Sequence, residues 1–138
     1  LGIPLVNPLL VREEQRSSES NLWLLPVPEV FGNRTLVITE QKHYSASDMP
    51  EFFTDIGFSE GIARYKSRIR PLTEHLEAPR VPITLMFGTG VSTPEMLIYG
   101  KGGFDQQPEV IEGDGDGTVN LCSLSAVISN WSAAEGQT

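Results

Sequence analysis

Cysteine occurs once, at Cys122, so a small disulfide-stapled scaffold is excluded. No apolar run approaches the roughly 18 residues of a membrane-spanning helix. Positive charge is scarce: 10 Lys and Arg face 18 Asp and Glu, a net charge of −8. That argues against a nucleic-acid binder, which needs a basic stripe. The scarcity is uneven, with 9 basic and 11 acidic side chains in residues 1–80 but 1 and 7 in residues 81–138. Gly-x-Ser-x-Gly occurs once, at Gly57-Phe58-Ser59-Glu60-Gly61, but between two helical patterns rather than in the strand-to-helix elbow that seats a nucleophilic serine. Long uninterrupted helical patterns are also absent. The 13 Gly and 10 Pro punctuate the chain into turns and short elements, against a helical bundle or coiled coil.

What is present suffices for a packed unit. The 138 residues are 39% hydrophobic and 20% charged, in the range of one globular domain, with no repeat or low-complexity tract. Residues 1–11 read as an irregular lead-in because Pro4 and Pro8 bias their predecessors away from helix; the stretch lacks the basic start of a signal peptide. Residues 12–25 read as a mobile polar segment ending in an apolar turn closed by Pro26 and Pro28. Leu36-Val37-Ile38-Thr39 reads as a strand. A helix is expected after Ser47 or Asp48 as N-cap, with Pro50 and Glu51 in its first turn, Phe52, Phe53 and Ile56 on its buried face, and Gly57 at its end. Ser59 to Arg70 reads as a weaker helix or an extended edge, its alternating Arg64, Lys66, Arg68 and Arg70 forming a solvated face. Val81 to Phe87 gives the strongest strand signal, apolar on both faces and so expected inside a covered, parallel sheet. It ends at a sharp turn through Gly88-Thr89-Gly90. Two short strands, Met96–Tyr99 and Pro108–Ile111, and a helix over Thr118–Ser129 complete the pattern.

The sharpest chemical feature is Glu112-Gly113-Asp114-Gly115-Asp116-Gly117-Thr118-Val119-Asn120. Three readings stay open. As a calcium loop it has alternating oxygens at Asp114, Asp116 and Thr118, but Val119 and Ser125 stand where an EF-hand needs Gly and Glu. As a purely structural turn it supplies glycines for unusual backbone angles and an Asp to cap a following helix. As the acid loop of a Ser-His-Asp triad it offers a carboxylate at a strand's C-terminal end, where it can orient a histidine. His43 and His75 lie in polar contexts and precede the aspartates, contrary to the Ser, Asp, His chain order of α/β-hydrolases, so both read as surface residues. Cys122 reads as a packing residue in the last helix. Asn33-Arg34-Thr35 and Asn130-Trp131-Ser132 are glycosylation sequons, which tilt toward a secretory location with the cytoplasm as the alternative.

Taken in order, these motifs resemble the lecithin:cholesterol acyltransferase family, most closely its plant acyltransferase-like members, which are related to lysosomal phospholipase. The resemblance runs from about residue 2 to residue 128. It rests on Gly2-Ile3-Pro4, Glu13-Glu14-Gln15-Arg16, Trp23-Leu24-Leu25-Pro26, Phe52-Phe53-Thr54-Asp55-Ile56-Gly57-Phe58, Gly88-Thr89-Gly90-Val91 with Thr93-Pro94, and the Gly113 to Asn120 loop.

The resemblance implies an α/β fold, namely the later portion of an α/β-hydrolase with part of its cap and an incomplete sheet. Residues 1–138 would be one partial domain, with a lid region at about 7–25 and late core strands and the acid loop at 81–128. It implies that Asp116 is the triad acid and Asp114 a neighbour shaping the loop. Arg16, Trp23 and Leu24 would be lid or substrate residues, although Trp23 fits plain core packing equally well. The implied activity moves a fatty acyl group from a phospholipid to a sterol, a lysolipid or water through an acyl-serine, at a lipid surface. No cofactor and no metal are implied, and no nucleic acid is a partner. The implied location is the secretory pathway, vacuolar, lysosomal or extracellular. The family's serine elbow would lie upstream of Leu1, and the family histidine beyond the 22 residues that follow Asp116. His43-Tyr44-Ser45 stands where relatives often carry an Asn-Tyr-Thr or Asn-Tyr-Ser sequon. The chain, opening at Leu1, is therefore expected to be a fragment, inactive alone and exposing apolar patches that the rest would cover. The alternatives are a non-catalytic lipid-binding or regulatory remnant and a calcium-binding module.

Overall fold

The computed structural model describes residues 10–134. The Gly2-Ile3-Pro4 motif, the lead-in through residue 9 and residues 135–138 lie outside the described residues. The elements are short, as the Gly and Pro content dictates. In order they are α1 (Arg12–Ser17), a 3-10 turn (Glu19–Leu24), α2 (Pro28–Phe31), β1 (Val37–Ile38), β2 (His43–Tyr44), a 3-10 turn (Ala46–Asp48), α3 (Met49–Asp55), α4 (Glu60–Arg64), a π-helical turn (Tyr65–Ile69), α5 (Arg70–Thr73), β3 (Val91–Ile98), a 3-10 turn (Gly103–Asp105), β4 (Glu109–Gly115), α6 (Leu121–Leu124) and α7 (Ile128–Ser132).

The four strands form one open mixed sheet in the order β2-β1-β3-β4. β1 runs antiparallel to β2 and parallel to β3, with Val37 beside Leu97 and Ile38 beside Ile98. β3 and β4 form an antiparallel hairpin whose register shifts between Pro94 and Met96. Pro94 has no N–H to give the ladder, so a local irregularity at that point is its natural consequence. An α/β mixture was expected and is found. A sheet with both parallel and antiparallel neighbours is consistent with part of an α/β-hydrolase.

Two apolar clusters hold the elements together. Leu22, Met49, Phe53, Phe58, Tyr65 and Ile69 are buried in one, while Leu36, Val37, Tyr44 and Ala46 are buried in the other. Phe52 packs against both, edge-on to Tyr44 at 5.4 Å and to Phe104 at 5.5 Å. α3 thus forms where its Phe52, Phe53 and Ile56 positions demand a buried stripe. Asp48, one of the two expected caps, stands at its N-cap, and the 3-10 turn before it is fixed in its own right. Ser45, not Ser47, forms a capping box with Asp48 ahead of α3. Gly57 follows at φ 73, a left-handed conformation that ends the helix.

Three expectations need correction, and one that stood between two readings is settled. Residues 12–25 are helical rather than mobile. Arg12 bonds to Asp105, Arg16 to the Ile56 carbonyl and Glu19 to Arg68, so tertiary contacts order a segment whose composition alone suggests mobility. Of the two readings of Ser59 to Arg70, the helix is the one found. The π turn falls just before Pro71, whose ring and missing N–H disrupt an ordinary α-ladder. Thr118–Ser129 is not one helix: it begins at Leu121 and breaks between α6 and α7. Last, Val81 to Phe87 is neither a strand nor buried. The sheet does not include it, and Met86 is 90% exposed. Its pattern records that both faces are apolar, and periodicity cannot say whether neighbours are at hand to cover them.

Candidate functional site: the aspartate loop at the end of the hairpin

β4 ends at Gly115, and the chain turns back on itself through Asp116, Gly117, Thr118 and Val119. The Asp116 N–H donates to the Val119 carbonyl at 3.2 Å, and a bridge from Gly115 to Asn120 closes the loop. Gly117 sits at φ 95, where a side chain would be strained. Gly115 is required for another reason: a Cβ there would collide with the Val119 carbonyl oxygen and the Thr93 side chain.

Thr93 underlies this loop. It is fully buried, and its hydroxyl donates to the Val91 carbonyl at 2.8 Å while accepting the Gly117 N–H at 2.9 Å. Asn120 Nδ2 donates to the Pro94 carbonyl at 2.9 Å, tying the far side of the loop to β3. Thr93 and Asn120 therefore tie the loop to the hairpin on both sides.

The two aspartates are engaged differently. Asp114 faces Ser92 in the ladder and takes the Gly90 N–H on Oδ1 at 2.6 Å and the Thr89 hydroxyl on Oδ2 at 3.1 Å. It thereby pins the Gly88-Thr89-Gly90 turn, with Gly90 at φ 81. Asp116 Oδ1 takes two amides, from Val119 at 2.8 Å and Thr118 at 2.9 Å. Those amides hold its carboxyl below the usual carboxylate range, so it is an anion at neutral pH. Its other oxygen, Oδ2, takes no hydrogen bond among the described residues, and the side chain is exposed. Gly88 packs beside it, its Cα hydrogen pointing where a Cβ would stand 3.4 Å from the Asp116 Cβ.

The other expected residues lie elsewhere. Arg16 is in α1, its guanidinium donating to the Ile56 carbonyl at 2.6 Å and lying 5.7 Å over the Phe58 ring. Trp23 and Leu24 end the first 3-10 turn, 45% and 82% exposed, so Trp23 is not a core residue. Asn33 is exposed in the turn after α2, and Asn130 is exposed within α7. His43 and His75 are both exposed. Cys122 is half-buried in α6, 3.7 Å from the Arg34 guanidinium. Among the described residues, no group of three or more His, Cys, Asp or Glu gathers in a way that could hold a metal ion. Also among them, no helix is long and apolar enough to cross a membrane.

Thr93 and Asn120 are the residues that reading the sequence left without a role. The signal was there in part, because a threonine directly before Pro94 and an Asn three residues after the Gly-Asp run are both backbone-bonding types. Only the pairing of β3 with β4 brings them to the loop.

Against known proteins, no family model matches the chain. Individual relatives do. The chain is 63% identical to lecithin-cholesterol acyltransferase-like 1 of Arabidopsis thaliana, over 92% of its own length and 30% of the relative. It is 47% identical to the protein of that name from Oryza sativa subsp. japonica, over 99% of its length and 31% of the relative. It is 40% identical to lysosomal phospholipase A and acyltransferase of Canis lupus familiaris, over 88% of its length and 29% of the relative. The chain thus spans about a third of the length of the curated relatives it matches.

Proposed function

For a chain whose sequence is that of the lecithin-cholesterol acyltransferase family, we propose that it supplies the acid arm and part of the lid of a lipid O-acyltransferase or phospholipase. The observation that carries this reading is the asymmetry of the two aspartates. Asp114 spends both oxygens on the Gly88-Thr89-Gly90 turn, whereas Asp116 is held ionised by two amides with one oxygen left open. An open oxygen on a backbone-fixed anion is what an imidazole Nδ1–H needs for orientation, and for stabilisation once it becomes imidazolium.

In the whole enzyme, a histidine oriented by Asp116 accepts the proton of a serine as its Oγ attacks the phospholipid ester carbonyl. The lysolipid leaves with that proton. A sterol, a lysolipid or water then attacks the acyl-serine, and the acyl group passes to it. Residues 7–25 form the lid region, with Arg16 anchoring it and Trp23 and Leu24 facing lipid. Residues 81–128 are late core strands and the acid loop. The enzyme resides in the secretory pathway, in a vacuole or lysosome or outside the cell, where Asn33 and Asn130 carry glycans.

Replacing Asp116 by Asn in a protein that joins this chain to its serine and histidine segments is expected to lower kcat by about 10⁴-fold, while Asp114→Asn costs far less. Release of fatty acid from phospholipid vesicles is the measurement. Equal losses would mean the wrong aspartate has been chosen. The 138-residue chain by itself is expected to turn over no short-chain ester.

A further inference from the structure

The Thr93 hydroxyl stands between the two glycines that flank Asp116. On one side it accepts the Gly117 N–H at 2.9 Å. On the other, a Cβ built on Gly115 would lie 2.6 Å from the same oxygen, so only a glycine lets the hydroxyl come this close. Its own hydrogen goes to the Val91 carbonyl at 2.8 Å, which leaves a lone pair turned toward Gly117. Val91 in turn bridges Asp116, and Thr93 faces Gly113 in the ladder. One buried oxygen of β3 therefore meets the chain immediately before and immediately after Asp116.

The consequence lies one peptide further on. The Gly117 N–H belongs to the peptide unit joined directly to the Asp116 Cα, so fixing it fixes the direction in which the chain leaves that residue. The next two amides, of Thr118 and Val119, are the ones that hold Asp116 Oδ1 at 2.9 and 2.8 Å. A run with glycine at 113, 115 and 117 has little conformational preference of its own, so its order has to come from a neighbour.

We propose that Thr93 is the positioning residue of Asp116: its hydroxyl fixes the two flanking glycines and so aims the carboxylate for the reaction. The catalytic part rests on Asp116 being the triad acid, whereas the positional part does not.

The positional part is read on the 138-residue chain by carboxyl carbon NMR. In Thr93→Val, Asp116 is expected to titrate closer to the ordinary 3.8 than in the parent, because the two amides are no longer aimed at Oδ1. Thr93→Ala, which removes the hydroxyl without pressing a methyl on Gly115, should give the same shift, and Thr93→Ser should give none. Tyr44→Phe loses a hydrogen bond at the opposite edge of the sheet and should also give none, which separates aim from general destabilisation. An Asp116 titration unmoved in both Thr93→Val and Thr93→Ala, or moved equally by Tyr44→Phe, overturns the positional part.

The catalytic part is read on a protein that joins this chain to its serine and histidine segments. Thr93→Val is expected to lower kcat about 10- to 100-fold with KM changed less than about twofold, and Thr93→Ser to restore most of the rate. Combined with Asp116→Asn, Thr93→Val should add no further loss, since no acid is left to aim. Additive losses overturn the catalytic part. Full activity of Asp116→Asn overturns it too, by removing the triad reading beneath it, and leaves the titration result standing.

Discussion

On a regular strand, side chains two positions apart share a face, and Asp114 and Asp116 would then point the same way. β4 stops at Gly115, and the turn redirects Asp116 onto its own amides while Asp114 stays committed to Thr89 and Gly90. Because the amides of Val119 and Thr118 favour the ionised form, the Asp116 carboxyl should titrate below its ordinary 3.8. Its contribution to loop order is present above that value and is lost as pH falls through the lowered one. Carboxyl carbon NMR across an acid titration measures this directly. Thr93 makes a second residue-scale test. Thr93→Val removes the buried hydroxyl that accepts the Gly117 N–H and should cost about 0.5–1.5 kcal/mol in urea unfolding, while Thr93→Ser retains most of the stability. The Gly-Asp run was legible as a tight loop at a strand's end, with its chemical role left among three readings. Thr93 was not, because its role comes from a partner 24 positions away.

Among the elements, α3 was the most legible, since cap, proline, apolar stripe and terminal glycine all agree. The two strands of the hairpin were legible too, though not their pairing, and Val91 to Pro94 extends β3 well before the expected start. Ser45 escaped notice as the cap because the 3-10 turn it opens precedes the helical pattern. β2 and α3 are joined by Tyr44, whose hydroxyl donates to Asp55 at 2.8 Å beside Lys42. Burial first, and then the Asp55 carboxylate, push the Tyr44 phenol from 10.0 up to about 12. A raised phenol stabilises the fold fully below pH 10 and loses that contribution as pH rises toward 12. Urea midpoints measured at pH 9 and 11.5 should therefore fall in the parent protein and change less in Tyr44→Phe.

Over the whole molecule, the two clusters meet at α3, and the apolar stretch from Val81 to Phe87 stands outside both. Its composition announced a buried strand because sequence reports what a segment can bury, whereas burial itself depends on neighbours. Exposed apolar surface of this kind favours self-association. Met86→Lys should reduce light scattering at high protein concentration and shift unfolding stability by no more than about 0.5 kcal/mol. The tie between α1 and the loop carrying Phe104 joins positions 92 apart. In the order of synthesis, Arg12 leaves the ribosome long before its carbonyl and carboxylate partners exist. At about 5–20 residues per second the delay is on the order of ten seconds. During that interval Arg12 stays open to chaperones and proteases, whereas Arg16 of the same helix meets its Ile56 carbonyl only 40 positions on, before the hairpin emerges.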